Sequence, residues 1–326
     1  MSHDLDSSSQ SHDYAVMDFQ SLFSEHGLSL DRLNSFLKVV NAGGIAAATG
    51  SDPNRQSLYS RQIKELEAFF GASLTKRKGR RLEITPEGER LARLIRANFT
   101  DLDDFRADSK NEARRAVIAG GASVIEWLIS PGLANCRKAL DQPLLETRSL
   151  RSIGTCRALD DGQIDFGILR REAVPLSLQS LKIGSLSYAL YVPKKLAPTR
   201  APKTQAQWTK LLSDLPQARL VDGVRLRRQI DEAHQNLLIR PPIIAETTSI
   251  LQLAAIVKAG HAAAILPGTA ATAFSKSEVK PIPLTGFLDY RRELVLAYSK
   301  SHAKQRGWSK RHLQSLVTVL KTQLAS

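Results

Sequence analysis

Apolar positions recur at helical spacing through the first third of the chain and at strand spacing beyond it. Leu30, Leu33, Phe36, Leu37 and Val40 fall on one face of a helix, with Ser29 placed to cap it and Asn41 and Gly43-Gly44 to stop it. Upstream, Phe19, Leu22, Phe23 and His26 also keep helical spacing, up to Gly27. Residues 45–49 read as a short Ala-rich helix. After the turn at 50–53, Asp52 is a ready N-cap and Pro53 suits a first helical position. The next helix is expected over about Pro53 to Phe70, with Leu58, Ile63, Leu66 and Phe70 inward. LTKRKGRRLEIT, at 74–85, then reads as two short strands around Lys78-Gly79. Two helices at a tight turn followed by a basic hairpin make a winged helix-turn-helix.

Thr85-Pro86-Glu87 opens another helix, with a cap, a Pro and an acid in its first turn. Leu91, Ile95, Asn98, Leu102 and Phe105 run along it at 4-3-4-3 spacing, a heptad seam suited to a second copy of the chain. From Arg114 the pattern alternates strands with helices, which predicts an α/β region with a mostly parallel sheet. One helix is expected over Val124–Ala139, a hinge near Ser187–Tyr191 and a closing helix over about Gln305 to Leu324. The predicted organisation is therefore an all-α/winged helix-turn-helix domain, a long linker helix and a two-lobed α/β domain. Residues 1–29 form an N-terminal extension, partly disordered; 30–85 the winged domain; 86–112 the linker; 113–298 the lobes; and 299–326 a last helix. Lobe I takes 113–187 and 267–298, lobe II 188–266.

Composition narrows the function. Of 326 residues, 42% are hydrophobic, enough for packed cores. A net charge of +14 calls for a polyanionic partner, nucleic acid or an anionic membrane surface. No apolar run approaches the length needed to span a bilayer, and the polar, acidic N-terminus lacks the marks of a secretory signal. Two cysteines, Cys136 and Cys156, point to a reducing compartment, so a cytoplasmic location is expected. No zinc, P-loop or hydrolase motif occurs; no catalytic residue, cofactor or metal is expected. The two thiols read as buried and structural, with redox sensing by Cys156 the alternative.

The stretch from Leu33 to Gly88 resembles the DNA-binding domain of LysR-type regulators. LNSFLKVVNAGG, QSLYSRQIKELEAFFGASLTKR and ITPEG carry the resemblance in order. AGGASVIEWLISPGL, LDDGQIDFGIL and IVKAGHAAAILPG extend it, more weakly, into that family's effector domain, which is similar to type 2 periplasmic binding proteins. The resemblance implies a transcriptional regulator that binds double-stranded operator DNA as a homodimer or homotetramer, with RNA polymerase as a further contact. Three departures stand out: the N-terminal extension, a longer turn reading DPN, and Ser57 where Pro is common.

A recognition helix reads base edges with its first residues. Asn54, Arg55, Gln56, Tyr59 and Ser60 stand there, with Arg61 and Lys64 farther along. Tyr59 serves either DNA or the core. The wing adds Lys76, Arg77, Lys78, Arg80 and Arg81. In the sensing half, helix starts that follow strands favour anions. Ala122-Ser123, Arg151-Ser152, Arg170-Arg171 and Thr247-Thr248-Ser249 stand at such places, which favours a small anionic effector of the carboxylate class. Ser123, Ser152, Thr247 and Ser249 serve equally well as ordinary N-caps. Two other readings stay open: a small-molecule binding protein or enzyme of the periplasmic-binding-protein fold, and an architectural DNA-binding protein whose second domain is a scaffold.

Overall fold

This computed structural model describes residues 22, 27–50, 52–78, 81–110, 114–221 and 225–325. It divides into two compact units, Met1–Arg96 and Ala97–Ser326.

The first unit begins with the helix Leu30–Ala42. Ser29 Oγ accepts from Arg32 N at 3.2 Å, and Gly43, at φ 76°, ends the helix in a left-handed turn that the missing Cβ makes cheap. Phe36, Leu37 and Val39 are buried. Leu30, expected inward, is 62% exposed because it stands at the helix start, outside the buried stripe. After the helix Ile45–Thr49 comes the 18-residue helix Pro53–Phe70, capped by Asp52 as expected. Ile63 and Leu66 are buried, but Leu58 and Phe70 are each more than a third exposed. Leu58 lies five residues from Ile63, about 140° round the helix and so off the buried face. Phe70, the last residue, stacks edge-on against Phe69 instead. The expected helix at Phe19, Phe23 and His26 lies outside the described residues.

β1 (Thr75–Lys78) and β2 (Arg81–Ile84) pair antiparallel, as the wing reading requires. The helix Pro86–Ser109 follows. The expected heptad seam needs correcting along it. Ala92 and Ile95 are buried within the first unit, and the exposed apolar positions are Leu94, Leu102 and Phe105. The unit's own core claims Ile95 before a partner chain can.

In the second unit, β3 (Arg115–Gly120), β4 (Leu144–Ser149) and β5 (Phe166–Arg170) run parallel. β6 (Gln179–Leu186) and β12 (Arg292–Tyr298) complete a five-stranded sheet in the order β4-β3-β5-β12-β6, with β12 antiparallel to both neighbours. β7 (Tyr188–Pro193) lies between β10 (Ala264–Pro267) and β11 (Val279–Pro283), antiparallel to both. β8 (Gln217–Leu220) and β9 (Ile243–Thr247) are parallel. The five-stranded sheet is thus mixed and the β10-β7-β11 sheet antiparallel, not mostly parallel as expected, since β12 returns antiparallel to β5 and β6 and β7 runs against both its neighbours. The expected hinge region is largely strand: β6 and β7 are separated by Ser187 alone.

Two expected helices are broken. Over 122–139 the chain makes a short α turn, a π turn at Ile125–Ile129 and a separate helix Leu133–Ala139. Pro131 lacks the N–H that a continuous helix needs, and Ser130 N reaches back to Ile125 O at 2.9 Å. At the C-terminus, Gly307 at φ 64° separates Lys300–Gln305 from Lys310–Ala325.

That last break feeds a buried polar hub. Asp165, 2% exposed, accepts from Val117 N at 2.8 Å, Arg306 Nε at 3.1 Å and Trp308 Nε1 at 2.7 Å. Arg306, 4% exposed, also donates to Arg115 O and to Asp104 on the long helix. Arg114 covers the Trp308 ring at 4.0 Å. Removing one partner of a buried ion pair strands the other charge at a cost of about 3–5 kcal/mol. We therefore expect Asp165→Ala to destabilise the second unit by that order, measured by urea unfolding followed through tryptophan fluorescence.

Candidate nucleic-acid interface and effector cleft

The start of the helix Pro53–Phe70 is built from local bonds. Asp52 Oδ1 accepts from Asn54 N at 3.0 Å and Arg55 N at 3.3 Å. Asn54 and Arg55 are exposed, and Arg55 lies 3.5 Å from Asp52 in a loose, solvated pair. Gln56 folds back to donate to Gly50 O at 3.0 Å, so its amide braces the turn. Tyr59 and Ser60 are half-buried. Arg61 and Lys64 are exposed, with Arg61 3.8 Å from Glu65. Glu65 is held more closely by Arg32, at 2.6 Å, which ties this helix to the first one. Exposed pairs of this kind hold a side chain by less than about 1 kcal/mol, so Arg55 and Arg61 are easily recruited by a stronger anion.

The wing is fixed at its base. Glu67 Oε1 accepts from Leu74 N, Thr75 N and Thr75 Oγ1 at 2.8, 2.9 and 3.1 Å. Thr85 Oγ1 donates to Ser73 O at 2.6 Å and accepts from Gly88 N at 3.0 Å. On the strands, Lys76 faces Glu83 at 3.6 Å and Arg77 is exposed. β1 and β2 carry the backbone of Lys78 and Arg81; Arg80 lies outside the described residues. Exposed cations thus occupy both the helix and the wing, the helix start fixed by exposed local bonds and the wing base by buried or half-buried ones.

The second unit brings the expected effector positions to strand ends. The register pairs Gly120 with Ser149 and with Ile168, which sets Arg170 at the end of β5 and Ala122-Ser123, Arg151-Ser152 and Arg171 just beyond that end of the sheet. The turn carrying Ala122 and Ser123 packs near the helix Ile250–Lys258, which begins just after Thr247-Thr248-Ser249, and the adjacent Trp127 is buried against Leu253, Ala254 and Val257 of that helix. Neither Ser123, Ser152 nor Ser249 makes a side-chain cap bond: the cap positions of the first two helices are Gly121 and Arg151, and Ser249 caps through its backbone alone. Thr247 Oγ1 accepts from Ser249 N at 3.0 Å and also bonds Gln252, so its hydroxyl is spent locally. Arg171 turns away to Ser180 Oγ at 3.0 Å. Arg170 lies 3.5 Å from Glu172, which also meets Arg225 at 3.4 Å. This Arg170–Glu172–Arg225 bridge joins residues 53 positions apart, so no local pattern in the sequence announces it.

The family described as "Bacterial regulatory helix-turn-helix protein, lysR family" matches residues 30–89, and "LysR substrate binding domain" matches residues 109–324. The chain belongs to the LysR family. It is a LysR-type transcriptional regulator with a DNA-binding helix-turn-helix domain followed by an effector-binding domain. Among curated relatives, a probable nitrogen assimilation transcriptional activator from Synechococcus elongatus is 26% identical over 258 residues, 74% of this chain and 80% of that one. Among solved structures, a full-length OxyR variant from Pseudomonas aeruginosa aligns with a TM-score of 0.61 at 16% identity, over 91% of this chain and 96% of that one. Full-length CbnR in complex with its target DNA aligns with a TM-score of 0.55 at 18% identity, over 89% of this chain and all of that one.

The remaining features of this LysR-type chain fit a binding protein. Cys136 and Cys156 are free and buried; burial pushes the Cys136 thiol up to about 11 and raises that of Cys156. Protonated thiols of this kind are poor nucleophiles, which favours the structural role over redox sensing. Among the described residues, no helix is long and apolar enough to cross a membrane.

Gly88, in the ITPEG motif, has a steric task. A Cβ there would sit 2.3 Å from Leu74 O and 2.8 Å from Ile84 Cγ2. Backbone cannot yield as a flexible side chain can. We expect Gly88→Ala to cost the first unit about 1–3 kcal/mol and to weaken DNA binding in parallel, read by thermal unfolding and by mobility shift.

Proposed function

We propose that the chain reads a two-fold symmetric operator with the start of the helix Pro53–Phe70 and neutralises flanking phosphates with its wing. The supporting observation is the exposed pair Asn54 and Arg55 at a helix start fixed by Asp52 and Gln56. Asn suits adenine and Arg guanine in the major groove. Arg61, Lys64, Lys76, Arg77, Arg80 and Arg81 take phosphate or outer base contacts. Gln56 keeps a bracing role and Tyr59 and Ser60 a marginal one. Residues 30–85 read DNA, 86–112 link, and 113–298 sense, with lobe II at 188–266.

Two copies pair through the exposed Leu94, Leu102 and Phe105 of the long helix. The effector is a small anion held between the lobes by Arg170, Arg225 and the backbone near Ser123, Arg151 and Ser249. The protein works in the cytoplasm, where DNA and effector meet.

The test is a mobility shift on DNA upstream of the protein's own gene, at two salt concentrations. Arg55→Ala should cost about 1–3 kcal/mol and relax preference at one base position, whereas Lys76→Ala should weaken all sequences alike and lower the salt slope by about 1. Unchanged binding in both variants would remove this assignment.

A further inference from the structure

Two cavities of the second unit differ greatly in size. One, of about 20 Å³, is lined by Gln217, Arg227 and His234 and has room for a single water molecule. His234 faces it with a buried Nε2 that bonds no other group, and burial holds this imidazole neutral, near a pKa of 4. The other is a groove of about 440 Å³ between the segment after β7 and the helix Gln205–Asp214. That volume lies within the roughly 300–1,000 Å³ of small-molecule sites. It is built from neither the strand ends nor the helix starts of the cleft.

We propose that this groove is a second small-molecule site, for an amphipathic organic anion. Leu196, Pro198, Pro202 and Leu211 give it apolar walls. Arg200 and Lys210 stand at its rim with no ion pair or hydrogen bond among the described residues; one acid, Asp214, shares the lining. Cations therefore exceed acids, and an anionic head group is the complement. The helix start itself is not the receptor, because Gln207 Oε1 already accepts from Lys203 N at 2.7 Å and Thr204 Oγ1 from Gln207 N at 3.3 Å.

The walls are held in place before anything binds. Lys280 Nζ donates to Pro198 O at 2.7 Å and Thr199 O at 3.2 Å. Trp208, fully buried, anchors the helix through Nε1 to Thr285 O at 2.9 Å. A preformed pocket loses little conformational freedom on binding, which favours a small rigid ligand. A ligand here would also touch the chain just beyond β7, a strand that leads from lobe I into lobe II, so its occupancy can bias the cleft.

The test uses full-length protein and 8-anilinonaphthalene-1-sulfonate, an aromatic sulfonate, followed by fluorescence titration. Wild type should bind saturably. The double variant Arg200→Glu/Lys210→Glu should bind roughly fivefold more weakly or worse. Ala201→Trp, which places an indole in the mouth, should abolish the signal, and Arg170→Glu, in the cleft, should leave it unchanged. Far-ultraviolet dichroism and a thermal unfolding midpoint matching wild type confirm that each variant is folded. Equal binding by all variants, or loss only in Arg170→Glu, overturns the proposal. So does a sedimentation experiment in which Ala201→Trp breaks a self-association while probe binding persists, since the groove would then belong to a second copy.

Discussion

A buried carboxylate that accepts three hydrogen bonds organises the sensing unit. Asp165 takes bonds from the backbone of β3, from Arg306 and from Trp308, and Arg306 passes the connection to Asp104. A charge removed from water is tolerated only when its partners are complete. The hub therefore fixes, at one point, the central strand of lobe I, the break between the last two helices and the end of the long helix. β3 is also held by its ladders to β4 and β5, and the directed bonds to the buried ion add a fixed point shared with the two helical elements, which apolar packing specifies less sharply.

The DNA-binding unit follows the same economy on a smaller scale. Glu67 and Thr85 each take several bonds at the foot of the wing, and Gly88 lets the long helix approach the backbone of Leu74. The exposed ends of this scaffold are then free to carry charge without a structural duty. Asp52 spends its carboxylate on the helix start, and that leaves Asn54 and Arg55 projecting.

Features set by neighbours in sequence were legible from it. The Asp52-Pro53 start, the basic hairpin and the Thr85-Pro86 start each depend on two or three adjacent residues, and each stands where expected. Features set by distant packing were not. Leu58 and Leu30 are apolar yet exposed, and Ile95 is claimed by its own unit. β11 escaped notice because Pro281 and Pro283 disguise it; it tolerates both at the edge of its sheet. The Pro131-Gly132 break was written in the sequence but outweighed by the apolar spacing around it. In the cleft, the strand ends were readable, while the bridge through Glu172 and Arg225 and the outward turn of Arg171 depend on contacts that no local pattern encodes.

The central claim is that the start of the helix Pro53–Phe70 selects particular DNA sequences. The most direct measurement is selection of bound fragments from genomic DNA at near-physiological salt, followed by footprinting of the enriched fragments. The account predicts one recurring motif with two-fold symmetry, whose half-sites lie about one helical turn apart or a multiple of it. Enrichment without a shared motif, or protection that tracks base composition alone, would contradict it.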